Sequence, residues 1–169
     1  MKVTLPLSRK ESDMDQETFI ALIRQSEATY YRVAKSILQK EEDVEDAVQE
    51  SILKAWQKRN HLKEIALFRT WSTRILINTC YDFIRKKRPL LSFGDDPPEI
   101  EDSGGQPDTE LYFAVRELPS KQRIVIVLYY VEGYTVAEIA TMLRIPQGTV
   151  KSRLSKGRDL LKRALKEEL

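Results

Sequence analysis

Apolar positions along this chain recur at spacings of three and four, the period of an α-helix, and no stretch shows a convincing strand-type alternation. A first helix is predicted over about 15–40, with Phe19, Ile20, Ile23, Tyr30, Val33, Ala34, Ile37 and Leu38 as candidate core. A second is predicted over about 42–59, where Val44, Val48, Ser51, Ile52 and Ala55 make one stripe and Trp56 flanks it. A third starts near Ala66 and ends before Pro89. Ser72, Leu76, Thr79, Cys80 and Phe83 cluster on one of its sides, bordered by Ile75 and Ile84. Gly and Pro are scarce up to Pro89, and residues 89–108 then collect breakers and acids, which predicts a linker. The helical pattern resumes over 109–169. Its β-branched run 124–131 could pass for a strand, but Pro119 and Ser120 suit a helix start and Gly133 a helix stop, so it reads as a buried helix. The predicted fold is all-α: a tail (1–14), a helical domain (15–88), a flexible acidic linker (89–108) and a second helical domain (109–169).

The end of the chain carries the sharpest local pattern. Thr135 and Glu138 have the spacing of a capping box, in which each side chain accepts from a backbone N–H that the helix itself leaves unpaired. Ile139 and Leu143 then share a face, and Ala140 is small enough to admit a close neighbour. Pro146 suits the opening of a following helix. In that helix Val150, Leu154, Gly157, Leu161 and Leu165 form one stripe, while Ser152, Ser155, Lys156 and Asp159 point away and Lys151 and Arg158 flank it. This is the layout of a helix-turn-helix whose second helix lies in the major groove of DNA. The outward side offers donors to base edges, and Arg153, Arg158, Lys162 and Arg163 are placed for phosphates. A plain solvated helix would show the same cations, and the turn holds Arg144 and Ile145 where a Gly is often found.

Two other helices have polar faces of distinct chemistry. Opposite the apolar stripe of the second helix lie Asp46, Glu50 and Gln57, with Gln49 nearer the edge and Leu53 among them. An apolar residue ringed by acids and amides fits an interface anchor with a polar rim. A single exposed Leu is also commonplace, and pattern alone favours that reading. The third helix presents Trp71, Arg74, Asn78, Tyr81 and Arg85 on its far side and ends in Arg85, Lys86, Lys87 and Arg88. Cations, an amide and aromatics on one face suit a strand whose bases are partly unstacked. The helix dipole alone accounts for cations at the C-terminus but not for Arg74 and Asn78. Trp71 belongs either to this face or to the core.

Charge changes the picture through its distribution. The 169 residues carry a net charge of only +2. Residues 1–88 hold 17 Lys and Arg against 13 Asp and Glu, residues 89–115 hold none against 7, and residues 116–169 hold 11 against 6. Two mildly basic blocks thus flank a purely acidic stretch. Cys80 is the one cysteine, so no intrachain disulfide forms, and its apolar surroundings suggest core. No apolar run approaches a membrane span, and the N-terminus has no signal-peptide core, so a cytoplasmic protein is expected. His61 is the sole histidine. Paired Cys/His spacing, a phosphate-cradling Gly loop and a nucleophile motif are all missing from the sequence, so no metal, cofactor, small-molecule substrate or enzymatic activity is expected.

The order of these segments resembles bacterial RNA polymerase sigma factors of the extracytoplasmic-function type, group 4 of the sigma-70 family. The motifs that carry the resemblance are residues 43–50 with Lys54, Ala55 and Trp56; Phe68 to Trp71; and Arg74 to Asn78 with Tyr81 to Arg85. They continue with Glu117, Leu118 and Pro119 followed by Gln122 and Arg123, then Tyr130 to Gly133, Ala137 to Ala140 and Gly148 to Leu154. Together they cover about 16–166 apart from the linker.

The resemblance implies a region 2 bundle and a region 4 helix-turn-helix. It implies that Asp46, Gln49, Glu50 and Leu53 bind the β′ clamp helices of core polymerase, reversing the reading of Leu53. It implies that loop 60–67 acts with Trp71, Arg74, Asn78, Tyr81, Arg85, Lys86 and Lys87 to recognise and open the −10 element as single strands, trapping a flipped base. Lys151, Ser152, Arg153, Ser155, Lys156 and Arg158 would contact the −35 element as duplex. Region 4 would also pack on the β flap, and the acidic linker would thread the polymerase cleft as an RNA mimic. An anti-sigma factor, often membrane-bound, commonly restrains such proteins. The loop 62–67 is more apolar than the small polar loop common in the family, which leaves open the base it accepts. The competing reading is a stand-alone helix-turn-helix repressor or activator that binds duplex DNA as a dimer.

Overall fold

The computed structural model describes residues 14–87 and 110–167, and the predicted linker and almost all of the predicted tail lie outside the described residues. The described residues are helical, with no strand among them. α1 (Gln16–Ile37) begins where the Asp15 carboxylate accepts from the Thr18 amide at 2.8 Å. Phe19, Ile23, Ser26, Tyr30 and Val33 make its buried stripe at alternating steps of four and three. Ile20 lies one residue off that stripe and is 40% exposed, so its expected place in the core is corrected.

α2 (Glu41–Lys58) packs on α1 and on α3 (Phe68–Lys87). Its Val44, Ala47, Ser51 and Ala55 are buried. The small residues allow close approach, and the buried hydroxyls cost little because each bonds a carbonyl of its own helix: Ser51 to Val48 and Thr79 to Ile75. Between α2 and α3 the chain makes two 3₁₀ turns, Arg59–His61 and Ile65–Leu67, with Leu62 buried between them. An aromatic cluster closes this end of the first module. The Phe19 ring lies edge-on to Trp56 at 5.1 Å and to Phe68 at 5.9 Å, and Arg59 stacks over Trp56 at 3.7 Å. Cys80 is fully buried, and burial pushes its thiol up to about 12.

The second module comprises α4 (Glu110–Glu117), α5 (Ser120–Ile126), α6 (Val136–Leu143) and α7 (Gln147–Glu167). Residues 124–128 are the predicted buried helix, but α5 widens into a π-helical turn at Val127–Val131. There the Glu132 amide reaches back to the Val127 carbonyl at 3.0 Å and the Tyr134 amide to Leu128 at 2.9 Å. The wider turn swings Tyr129, Tyr130 and Val131 outward, which corrects the expectation that the whole run is buried. Gly133 takes a positive φ of 73° and ends the segment.

Both bonds of the capping box at Thr135 are present, at 3.2 Å and 2.8 Å. α6 ends on Arg144, a non-glycine residue in the left-handed region (φ 55°, ψ 47°), so the tight turn forms without the usual Gly. α7 crosses α5 at Gly157. A Cβ there would stand 2.9 Å from Ile126 Cγ1, so any other residue at 157 would have to displace the Ile126 side chain.

The modules pack together, α1 on α5 and its π turn, α3 on α6. Thr73 and Tyr134 share a buried hydroxyl–hydroxyl hydrogen bond of 2.8 Å, and Thr70 donates to Glu138 at 3.4 Å. Ile77, one turn beyond Thr73, is buried on the same stripe.

Candidate nucleic-acid and polymerase interfaces

The predicted site residues fall on three surfaces. The first is the outer face of α2. Asp46, Gln49 and Leu53 are exposed there, and Leu53 is 62% accessible. Glu50 is half-buried and holds Lys54 at 2.8 Å, and Lys54 extends to Asp82 of α3 at 3.9 Å. An accessible aliphatic side chain within an anionic and amide rim is thereby held on a rigid helix.

The second surface is α3 with the loop before it. Arg74, Asn78 and Tyr81 are half-buried, whereas Arg85, Lys86 and Lys87 are exposed at the helix end. Arg85 pairs with Asp82, holding that carboxyl below its usual range, and Lys87 pairs with Asp43 of α2. Trp71 is half-buried with its ring 5.9 Å from Phe68, so it extends the aromatic cluster rather than standing free. In the loop Leu62 turns into the core, while Ile65 and Leu67 stay exposed. Beside the loop lies a cavity of about 280 Å³. Leu22, Ile65, Ala66 and Phe68 give it apolar walls, and Gln25, Ser26, Thr29 and Arg69 supply polar groups. The recess mixes apolar and polar residues, and in the closed molecule three of its donors are engaged within the chain: Ser26 donates to the Leu22 carbonyl, and Thr29 and Arg69 donate to Glu132.

The third surface is the outward side of α7. Lys151, Ser152, Ser155, Lys156 and Arg158 are exposed, over a buried stripe of Val150, Leu154 and Gly157. The Ser152 hydroxyl donates to the Thr149 carbonyl at 3.0 Å, and Arg158 donates to the Tyr130 hydroxyl at 3.1 Å. Arg153, expected to be free for phosphates, is half-buried instead. It lies near Tyr81: burial raises the Tyr81 phenol, and the Arg153 cation opposes that shift. The closed packing thus brings α3 and α7 together at one point and leaves the α2 face apart.

Sequence reasoning assigned no joining role to Thr29, Arg32, Arg69 and Glu132, which link the modules, nor to the pair Thr73 and Tyr134. Arg69 and Glu132 lie inside quoted motifs, but Thr29 and Arg32 look like ordinary solvated positions on α1.

Comparison with known proteins decides the family. Residues 22–89 match the family described as Sigma-70 region 2, and residues 108–161 match Sigma-70, region 4. The chain is 32% identical over 155 residues to the ECF RNA polymerase sigma factor SigM of Mycobacterium tuberculosis, covering 89% of this chain and 79% of that protein. The chain belongs to the ECF family of RNA polymerase sigma factors. It is 29% identical over 162 residues to RNA polymerase sigma factor SigV of Bacillus subtilis, covering 94% of this chain and 98% of SigV. In structure it resembles the sigma factor RpoE solved with the anti-sigma factor NepR from Bartonella quintana. That match has a TM-score of 0.75 and 26% identity, and covers 89% of this chain and 98% of RpoE. CnrH, solved with the cytosolic domain of CnrY, shares the fold at a TM-score of 0.68 and 24% identity, over 92% of each chain.

As a sigma factor the chain binds core RNA polymerase and directs promoter-specific initiation of transcription; the stand-alone repressor reading is not favoured. No helix among the described residues is long and apolar enough to cross a membrane.

Proposed function

We propose that this sigma factor divides its work among the three surfaces. The outer face of α2, with Leu53 as anchor and Asp46, Gln49 and Glu50 as rim, docks on the β′ clamp helices of core polymerase. α3, with Arg74, Asn78, Tyr81, Arg85, Lys86 and Lys87, holds the −10 strand, and loop 60–67 takes one flipped base into the cavity beside it. Trp71 stabilises that helix from within the aromatic cluster and borders the strand. The outward side of α7, with Lys151, Ser152, Arg153, Ser155, Lys156 and Arg158, reads the −35 duplex, and its module also packs on the β flap. The functional boundaries are 15–88 for the first module and 109–169 for the second, with 89–108 threading the polymerase cleft.

The observation that carries this reading is the cavity beside Ile65 and Ala66, in a module separate from an exposed basic helix. Strand opening is favoured when protein–base contacts replace stacking, at a few kcal/mol per flipped base. RNA synthesis itself belongs to the polymerase. This chain catalyses nothing and works in the cytoplasm, where that enzyme acts. A protein antagonist of the class seen with RpoE and CnrH restrains it, by analogy with those complexes.

Run-off transcription with purified core enzyme on a random promoter library tests the whole reading and returns the consensus. Asn78→Ala tests the strand-opening role: initiation falls about tenfold on duplex promoters, equivalent to one hydrogen bond to a base, and recovers on a pre-opened bubble. Equal loss on both templates removes Asn78 from strand opening.

A further inference from the structure

Glu132 follows the π turn, and its side chain is only 2% exposed. Its carboxylate is nevertheless fully served. Oε1 accepts from Arg32 Nε at 2.6 Å, and Oε2 accepts from Arg32 Nη2 at 3.2 Å and from the Thr29 hydroxyl at 2.8 Å. The Glu132 backbone carbonyl accepts from Arg69, whose guanidinium also lies 4.2 Å over the Tyr134 ring. Every one of these donors comes from the first module, and every acceptor from the second.

The same donors border the cavity. Thr29 and Arg69 line it, and Arg32 lies on the same helix as Thr29, about one turn on. A fork from one arginine, a second guanidinium and a hydroxyl recognise a carboxylate and a phosphodiester by the same geometry. A base entering a recess brings its own phosphate to the rim. In the closed molecule the rim already holds an anion.

We propose that Thr29, Arg32 and Arg69 form a seat for a phosphodiester of the single strand, and that Glu132 occupies this seat from within the chain until the modules part. The seat rests on the assignment of the neighbouring cavity to a flipped base. Glu132 is thus both the clasp between the modules and the competitor of the strand. Opening the molecule releases two arginines beside the cavity, and binding a strand there favours the open form by the same coupling.

The experiment measures binding of a fluorescent mixed-sequence single-stranded 12-mer to the full chain across a salt series, with scattering to follow the radius of gyration and circular dichroism to confirm folding. Glu132→Gln and Glu132→Ala bind the strand about tenfold tighter than wild type and expand the molecule, the gain expected when a charge-assisted competitor is removed. Adding Arg32→Ala to Glu132→Ala abolishes the gain and reduces the slope of log affinity against log salt by about 0.7, one phosphate contact on a single strand. Glu17→Gln, an equal charge change at an exposed position on α1, leaves affinity unchanged.

A gain with Glu17→Gln equal to that of Glu132→Gln overturns the seat, because net charge then explains it. So does a folded, expanded Glu132 variant with no gain, or a gain that survives Arg32→Ala. The base-capture reading fails separately: Ile65→Asp in loop 60–67 then leaves promoter opening by the holoenzyme intact, whatever the oligonucleotide titrations give.

Discussion

Helices α2 and α3 lie side by side, 18 and 20 residues long, and are used in opposite ways. α2 buries one side and leaves the other to solvent, so Leu53 stands out among acids and amides. α3 is buried on two sides. Ser72, Leu76, Thr79 and Cys80 face its own module, while Thr73 and Ile77 lie on the stripe that meets α6. A helix with one free side presents a ready docking face. A helix enclosed on two sides has more of its polar residues engaged by its own chain.

Four substitutions break or sharpen that contrast. Leu76→Ala removes a fully buried side chain from the inner side of α3. It lowers stability by about 2–5 kcal/mol in chemical denaturation, through lost burial and the cavity left behind. A loss below about 1 kcal/mol removes the inner side of α3 from the core.

Leu53→Asp acts on the free side of α2. It weakens binding to core polymerase by at least about 2 kcal/mol, roughly thirtyfold, and changes unfolding by less than about 0.5 kcal/mol. A matching loss of stability shows that the side is not free.

Tyr134→Phe acts on the second side of α3. It leaves the Thr73 hydroxyl buried without its partner and costs about 1–2 kcal/mol. Scattering shows a larger radius of gyration if this side is held by the other module, and an unchanged one if it is not.

Lys54→Met, between the two helices, has the smallest effect, below about 1 kcal/mol, because its pairs with Glu50 and Asp82 are open to water. The Asp82 carboxyl is held low chiefly by Arg85, with Lys54 adding to the effect. A lowered carboxyl pKa contributes stability above its unfolded value and loses it as pH falls through the folded one. Acid titration of Lys54→Met therefore differs from wild type above that window and converges with it below.

The helices themselves were legible because each has at least one apolar side with period 3.6. Thr135 and Glu138 announced α6 because the cap is a local arrangement of side chain and backbone. Cys80 was legible as core for the same periodic reason. Thr73 and Ile77 were not, because periodicity marks a residue as buried only if its cover is continuous along one side. The signal was faint: Ile75, Leu76 and Ile77 in succession are more apolar than a one-sided helix needs. Thr29 and Arg32 left no trace, and Glu132 stood in a motif without its partners being legible, since a polar residue paired across a hundred positions reads the same as one paired with water. Arg144 defied the Gly rule at its turn, because the packing of α6 on α7 over-determines a conformation that arginine alone disfavours. Among the candidate site residues, chemistry could be read from the sequence but engagement could not: Arg153 and Tyr81 are drawn together only by the closed packing.

The crossing at Gly157 bears on how promoters are read. With Ile126 where a methyl would go, α7 sits against α5 without slack, at a contact set by a hydrogen atom. Tilting α7 toward α5 at this point would have to displace Ile126 or Gln122. With α7 as the proposed reading helix, its aim at the duplex follows that of α5, and a promoter whose spacing calls for another aim moves the two helices together.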